Sequence, residues 1–408
     1  MRMKLEKSRF RERCFLFQAR DAHTMLAPSL FLCYILGLYP CRMDSLNNYT
    51  FSKTRYAITT AVILVYSCSL LLVFYHLNIS GKLEYDTTTG MLQSNFYLIL
   101  GGVITIVTFV LGRPRIRVFQ DLAEVSARLP PETFNHLARW IHAKDILTFL
   151  FLASHIWNIF ESNPLGTLMK GILLYTTMVV FAMDLLYMNC VCILKACLAK
   201  INESLRNLKQ VLVSDEPHLL RRVYHEQKNP LLLIELRALK KQHLLISDVV
   251  QVLNMTFGVQ LITTVVLTFE EVTFSLYFYI QQSYGTKDIN MDKQIWHSYF
   301  ITSVVLFSLK LIGMVWACET GKDQALDIGS SIHEVLVNTS NKQIKDELEI
   351  FSLQVLHRDN VFAAKGLNMD ATLLTKMAGS ITTYLLILIQ FLLSYAPCDD
   401  NPGDQLFV

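Results

Sequence analysis

The sequence predicts an all-α membrane protein: seven transmembrane helices, a cytoplasmic N-terminus, an extracellular C-terminus, and cytoplasmic helical extensions that form an anchor domain. Three observations carry this. Of the 408 residues, 52% are hydrophobic and only 17% charged, values on the membrane side of the usual range. Seven runs free or nearly free of charge reach or approach the roughly 20 residues that a helix needs to cross about 30 Å of hydrocarbon. Lysine and arginine crowd into alternate connecting segments and are scarce in the others.

The runs, in order, are 57–75, 95–112, 146–160, 171–194, 249–269, 294–318 and 377–397. The third is the shortest because Glu161 closes it. An eighth run, 25–40, has Pro28 near its start and Pro40 at its end, and reads as a re-entrant or interfacial helix. Counting it as a span would place the seven basic residues from Arg2 to Arg20 outside. Without it, residues 1–56 and the segments 112–145, 195–246 and 318–376 hold ten, six, ten and six basic residues. The segments 76–94, 161–170 and 281–297 hold one, one and two, and the tail after Pro397 holds none. The positive-inside rule then puts the first group in the cytoplasm. The chain divides into an N-terminal segment (1–56), helices one to six (57–317), anchor helices (318–376), a seventh helix (377–397) and an extracellular tail (398–408).

Long helices are expected below the membrane. "LLIELRALKKQHLLISDVVQVL" enters the fifth span without a glycine or proline, and "QIKDELEIFSLQVLHRDN" places Ile344, Leu348, Phe351 and Val355 on one face.

Several function classes are excluded. A G-protein-coupled receptor would have the opposite charge bias, and neither Asp-Arg-Tyr after the third span nor Asn-Pro-x-x-Tyr in the seventh is present. "LHRDN" echoes a kinase catalytic loop, but no glycine-rich phosphate loop or Asp-Phe-Gly accompanies it, so no enzyme is indicated. Cys190, Cys192 and Cys197 lack a nearby His or carboxylate cluster and read as packing residues rather than metal ligands. No cofactor and no nucleic-acid partner is implied. Only Cys398 falls in an expected outer segment, which leaves no extracellular disulfide framework. Asn78, in Asn-Ile-Ser, is the one glycosylation candidate in an outer loop.

The last run carries the most information. Lys376, Ser380, Thr383, Ile387, Gln390 and Ser394 follow steps of 4, 3, 4, 3 and 4. They fall within roughly 80° on one helical face, with Phe391 at its border. A polar stripe inside a spanning helix needs partners or water. It either packs against helices of the same chain or surrounds a water-filled pore with other copies, Ile387 then forming an apolar constriction and Gln390 a polar ring. After it, Asp399 and Asp400, with Asp404 close behind, either form an acidic outer vestibule that concentrates cations or simply end the helix.

"TTYLLILIQF" resembles the Thr-Tyr, five apolar residues, Gln-Phe signature that closes the last helix of insect gustatory receptors, here Thr383, Tyr384, Gln390 and Phe391. "VWACETGKDQALDIGSSIHEVL" and "FSLQVLHRDNVFAAKGLNMDATLLTKMAGS" are similar to the gustatory receptor 28 subgroup, whereas the N-terminal half agrees in topology only. The resemblance implies a homotetrameric, ligand-gated, non-selective cation channel in the plasma membrane of sensory neurons, with co-receptor subunits as possible partners. Its seventh helices line one pore, placing Ile387 and Gln390 at the gate. The alternative is a receptor or transporter without a pore of its own. The partners implied are a small-molecule tastant, membrane lipids, permeating cations and identical subunits. The subgroup tilts the stimulus towards bitter compounds, nucleosides or heat rather than sugars.

In such a receptor the ligand sits among the outer halves of spans two to six. Candidates are His155, Trp157 and Asn158 on span three, and Gln260, Thr264, Thr268, Glu270 and Glu271 on or just beyond span five. Span six offers Trp296, Tyr299 and Thr302. Trp157 and Trp296 also suit an interfacial aromatic belt. Asp184 and Lys310 lie deeper, either in the site or as a structural ion pair.

Overall fold

A computed structural model describes residues 17, 19–39, 41–43, 49–81, 88–162, 166–213, 221–285, 291–339 and 341–394. In order these form α1 (Ala22–Ile35), β1 (Cys41–Met43), β2 (Tyr49–Phe51), α2 (Lys53–Asn78), α3 (Thr88–Val110), α4 (Gly112–Ser126) and α5 (Pro131–Ser162). There follow α6 (Thr167–Val213), α7 (Arg221–Gly285), α8 (Met291–Asn338), α9 (Lys342–His357), β3 (Ala363–Ala364), β4 (Leu367–Asn368) and α10 (Ala371–Ser394).

Among the described residues, six helices are long and apolar enough to cross a membrane: α2, α3, α6, α7, α8 and α10. The remaining expected span, the short third one, is the C-terminal half of α5, whose first half is polar. Helices α6, α7 and α8 run for 47, 65 and 48 residues. At 1.5 Å per residue they measure roughly 70 to 100 Å, two to three times the hydrocarbon thickness, so each projects well beyond it.

Helix α6 is the central element. Of its apolar stretch 89% is buried within the subunit, against 22% for α2 and 6% for α10. Its face carries Phe181, Tyr187, Cys190, Leu194 and Cys197, all fully enclosed, so Cys190 and Cys197 act as small apolar fillers. Gly101 on α3 lets that helix approach α6 closely: a Cβ there would collide with Thr176 Cγ2.

The run 25–40 contains a helix docked on the protein. Asp21 and Thr24 form a reciprocal capping box at the start of α1, with Thr24 N donating to Asp21 Oδ1 at 2.7 Å. Its end is turned by Gly37 at φ +71°, a conformation that favours glycine. Met25, Leu26 and Cys33 enter the main core against α4, α5 and α6. Ser29 donates to Asp145 Oδ2 at 2.8 Å, and Asn189 Nδ2 donates to both, so three helices are pinned by one buried polar cluster.

Helix α9 is capped by Asn341, whose side chain accepts from Gln343 N and Ile344 N. It buries Ile344, Leu348 and Phe351 against α7 and α8, the face expected from the sequence. Glu347 receives hydrogen bonds from Lys240 and Arg237 of α7. The Lys240 hydrogen bond, more than the charge of either neighbour, holds its carboxyl below the usual range. Arg358, in the kinase-like "LHRDN", ends α9 and pairs with Asp248 at 3.0 Å. Strands β3 and β4 then reverse the chain through Lys365 and Gly366, both at positive φ, as a two-residue hairpin loop requires. This tight turn aims α10 back along α7 and α8.

Candidate pore helix and outer polar cluster

Helix α10 touches its own chain along a narrow seam. Leu373 and Met377 are buried, Leu374 and Ile381 are partly so, and all four pack on the main core. Tyr384 meets Phe269 of α7 edge to face at 5.7 Å. The stripe faces elsewhere. Lys376, Ser380, Thr383, Ile387, Gln390 and Ser394 are all exposed, as is Phe391. Packing within one chain therefore does not account for the stripe. Thr383 and Ser394 return their hydroxyls to the carbonyls of Gly379 and Gln390 at 2.9 and 2.8 Å, so the backbone satisfies them locally. The Gln390 carboxamide and the Lys376 ammonium are the groups that demand water or a partner copy. A shallow groove runs beside the stripe, lined by Thr375, Gly379, Ser380, Thr383 and Ile387. Asp399, Asp400 and Asp404 lie outside the described residues.

The outer-half candidates separate into two clusters. In the first, His155 is buried, stacks on Tyr299 at 5.2 Å and faces Thr302 Oγ1 at 3.4 Å. Trp157 stands apart from it, 66% exposed on the outside of α5. The side chains of Asn158 and Trp296 lie outside the described ones. Beside this cluster, Glu271 accepts weak hydrogen bonds from Gln93 Nε2 at 3.4 Å and Ser303 Oγ at 3.5 Å. Glu270 is 6% exposed, and neither of its oxygens has a hydrogen-bond partner among the described residues. The Thr268 hydroxyl is likewise buried and unpaired.

The second cluster is deeper and is built around an acid and a base. Lys310 Nζ lies 3.0 Å from Asp184 Oδ2, with both side chains at most 1% exposed. Gln260 Nε2 and Thr264 Oγ1 donate to the other carboxylate oxygen at 3.1 and 3.0 Å. The ammonium also sits over the rings of Phe181 and Phe307. Thus Gln260 and Thr264, read from position as pocket residues, are committed to the Asp184–Lys310 pair. The sequence reading missed Arg115. Counted there among the basic residues of an inner segment, it is completely buried; its Nη2 donates to Gln260 Oε1 at 2.7 Å and its guanidinium covers Phe257 at 4.3 Å. Nothing local distinguishes it from Arg113 or Arg117; only its place three residues beyond the glycine that opens α4, facing α7, buries it. Gln93 and Ser303 were missed for the same reason: they are ordinary polar residues until α3, α7 and α8 bring them to Glu271.

The 7tm chemosensory receptor family model matches residues 26–395. Gustatory receptor 28b of Drosophila melanogaster is 30% identical over 152 residues, 36% of this chain and 32% of that protein. Gustatory receptor 28a of the same organism is 24% identical over 151 residues, 36% of this chain and 34% of that one. These matches span about a third of the relatives' length. Among solved structures, the insect olfactory receptor OR5 from Machilis hrabei superposes with a TM-score of 0.66, and its complex with eugenol with 0.68. Both are 12% identical and cover 90% of this chain and 97% of theirs, a likeness of fold. The fold, the apolar helices and the match over nearly the whole sequence make this chain a member of the 7tm chemosensory receptor family, a family of receptors and not of enzymes.

Proposed function

We propose that this receptor is a ligand-gated, non-selective cation channel of the gustatory type, in which four copies surround one pore lined by α10. The observation that supports it most is the polar stripe of α10, exposed along a helix only 6% buried in its own subunit. One such stripe cannot enclose a pore, whereas closed rotational symmetry brings identical faces together around an axis. Ile387 and Phe391 would then form the constriction, Ser380, Thr383, Gln390 and Ser394 its polar wall, and Asp399 and Asp400 the outer vestibule. The stimulus is a small molecule, with bitter compounds and nucleosides ahead of sugars, or heat.

His155, Tyr299, Glu270 and Glu271 would meet that ligand. Burying an unpaired carboxyl costs stability, and a donor group on a ligand would offset that cost. Cells expressing this chain alone, screened with a tastant panel and a temperature ramp by whole-cell recording, test the reading. The wild type should give a cation current to at least one stimulus. Glu270→Gln should retain surface expression while reducing that response by at least tenfold. Absence of current from wild-type chains that reach the surface as tetramers would refute the proposal.

The proposed orientation puts Asn78 outside. Its side chain is exposed at the end of α2, where its amide exchanges hydrogen bonds with Asn95 at 3.0 and 2.9 Å. The glycan-dependent mobility shift of the wild-type chain should disappear in Asn78→Gln. A chain that carries no glycan removable by a glycosidase would speak against the assignment.

A further inference from the structure

Two tryptophans from distant parts of the sequence stack on the surface. Trp140 of α5 and Trp316 of α8 lie 5.5 Å apart at 21°, and are 55% and 46% exposed. Lys195 of α6 holds its ammonium 4.8 Å from the Trp316 ring, with no carboxylate within ion-pair distance among the described residues. Lys144, one turn along α5 from Trp140, adds a second ammonium, bound to Asp145 at 2.6 Å. The nearest acid in sequence to Trp316, Glu319, is engaged by Lys322 and by the backbone of Ala371.

Height decides what this ledge is for. The apolar run of α5 begins at 146, that of α6 ends at 194 and that of α8 ends at 318. All three helices thus bring an aromatic or cationic group to the level where hydrocarbon gives way to headgroups, on the side rich in lysine and arginine. Above Trp316, Ile312, Leu309 and Val305 repeat at helical spacing and are exposed; above Trp140, Leu147 and Phe151 do the same on α5. A cation without a counter-ion thus stands at the foot of an apolar track.

We propose that this ledge is a binding site for an anionic phospholipid of the cytoplasmic leaflet. The phosphate sits on Lys195, with Lys144 beside it. The glycerol backbone rests on the stacked indoles, and the acyl chains run along α8 and α5. Tryptophan favours this depth because its ring is apolar and its N–H polar. Lys195, already held over an indole, loses little freedom on binding, and a basic group near an anionic surface strengthens binding about fivefold. The proposal rests on insertion in a membrane and on the charge bias that orients it, and stands or falls independently of the channel reading.

The test uses the full chain reconstituted in nanodiscs of phosphatidylcholine with one-fifth phosphatidylserine, released and weighed by native mass spectrometry. Wild-type protein should retain phosphatidylserine in preference to phosphatidylcholine. Lys195→Gln should lower that retention about fivefold, Lys195→Arg should keep it, and Trp140→Ala with Trp316→Ala should release both lipids. Unchanged melting temperature and assembly size identify the variants that report on binding; should Lys195→Gln fail to fold, the Lys195→Arg and double-tryptophan comparison decides. Equal retention of both lipids by the wild type overturns the proposal. So does displacement of the lipid by millimolar inorganic phosphate, which would show a bare anion site. A disulfide joining two Trp140→Cys chains would overturn it too, since the ledge would then be covered by a second copy.

Discussion

Ile387→Ser should conduct without a stimulus. In the proposed tetramer four copies of this side chain meet at the narrowest point of the pore and keep it dry. Ile387 is 41% exposed in the single subunit, with the α10 seam beside it rather than over it, so it is available to its symmetry mates. Replacing it removes apolar contact worth roughly 1.5–3 kcal/mol per fully buried side chain. Multiplied by four, that exceeds the roughly 5.5 kcal/mol that carries a 1:99 equilibrium to 99:1. A hydroxyl also admits water to the constriction. The expected result is a standing whole-cell current at least tenfold above that of wild-type cells, with equal surface protein by biotinylation. Silent Ile387→Ser channels at normal surface density would move the gate elsewhere, with Phe391 the next candidate. The change lies on an exposed face, so the fold of each subunit should survive it.

Breaking the buried ion pair should instead remove the protein. Lys310→Met leaves Asp184 charged at 0% side-chain exposure, with Gln260 and Thr264 donating to one oxygen only. Truncating one partner of such a pair costs roughly 3–5 kcal/mol, a large share of the 5–15 kcal/mol by which folded domains exceed their unfolded states. Surface expression should fall at least fivefold, and the melting temperature in detergent should drop by several degrees. Lys310→Met combined with Asp184→Asn should recover most of both, because the amide oxygen still accepts from Gln260 and Thr264 while no net charge is stranded. A Lys310→Met chain as stable and abundant as wild type would show that the pair is dispensable for folding. A double variant that folds but no longer responds would assign the pair to coupling between the outer cluster and α10 rather than to stability.

The two predictions draw on different kinds of information. The stripe in α10 was legible because a helix repeats every 3.6 residues: Lys376, Ser380, Thr383, Ile387, Gln390 and Ser394 share a face whatever the helix packs against. Apolar run length likewise revealed the spans, and the absence of a glycine or proline between Leu232 and Leu253 foretold one long α7. The family was readable too, from the Thr383–Phe391 signature, and the match over residues 26–395 agrees with it.

Periodicity says nothing about which neighbour a face meets, and there the tertiary structure decided. It turned the stripe away from its own chain and sent Gln260 and Thr264 to Asp184 instead of the outer pocket. It left Trp157 outside and Glu270 without a hydrogen-bond partner among the described residues. Arg115 shows the limit most plainly. In sequence it is one arginine among several on an inner segment; in the fold it is fully enclosed, bonded to Gln260 some 145 positions away. Trp140, Lys195 and Trp316 are equally remote from one another until α5, α6 and α8 align. The sequence by itself determined what runs along each helix, because local hydrogen bonding and the solvent preference of each residue suffice for that. Which helices meet, and therefore which charges are paired, stranded or offered to lipid, depends on close packing between segments tens to more than a hundred residues apart, and only the assembled structure holds that information.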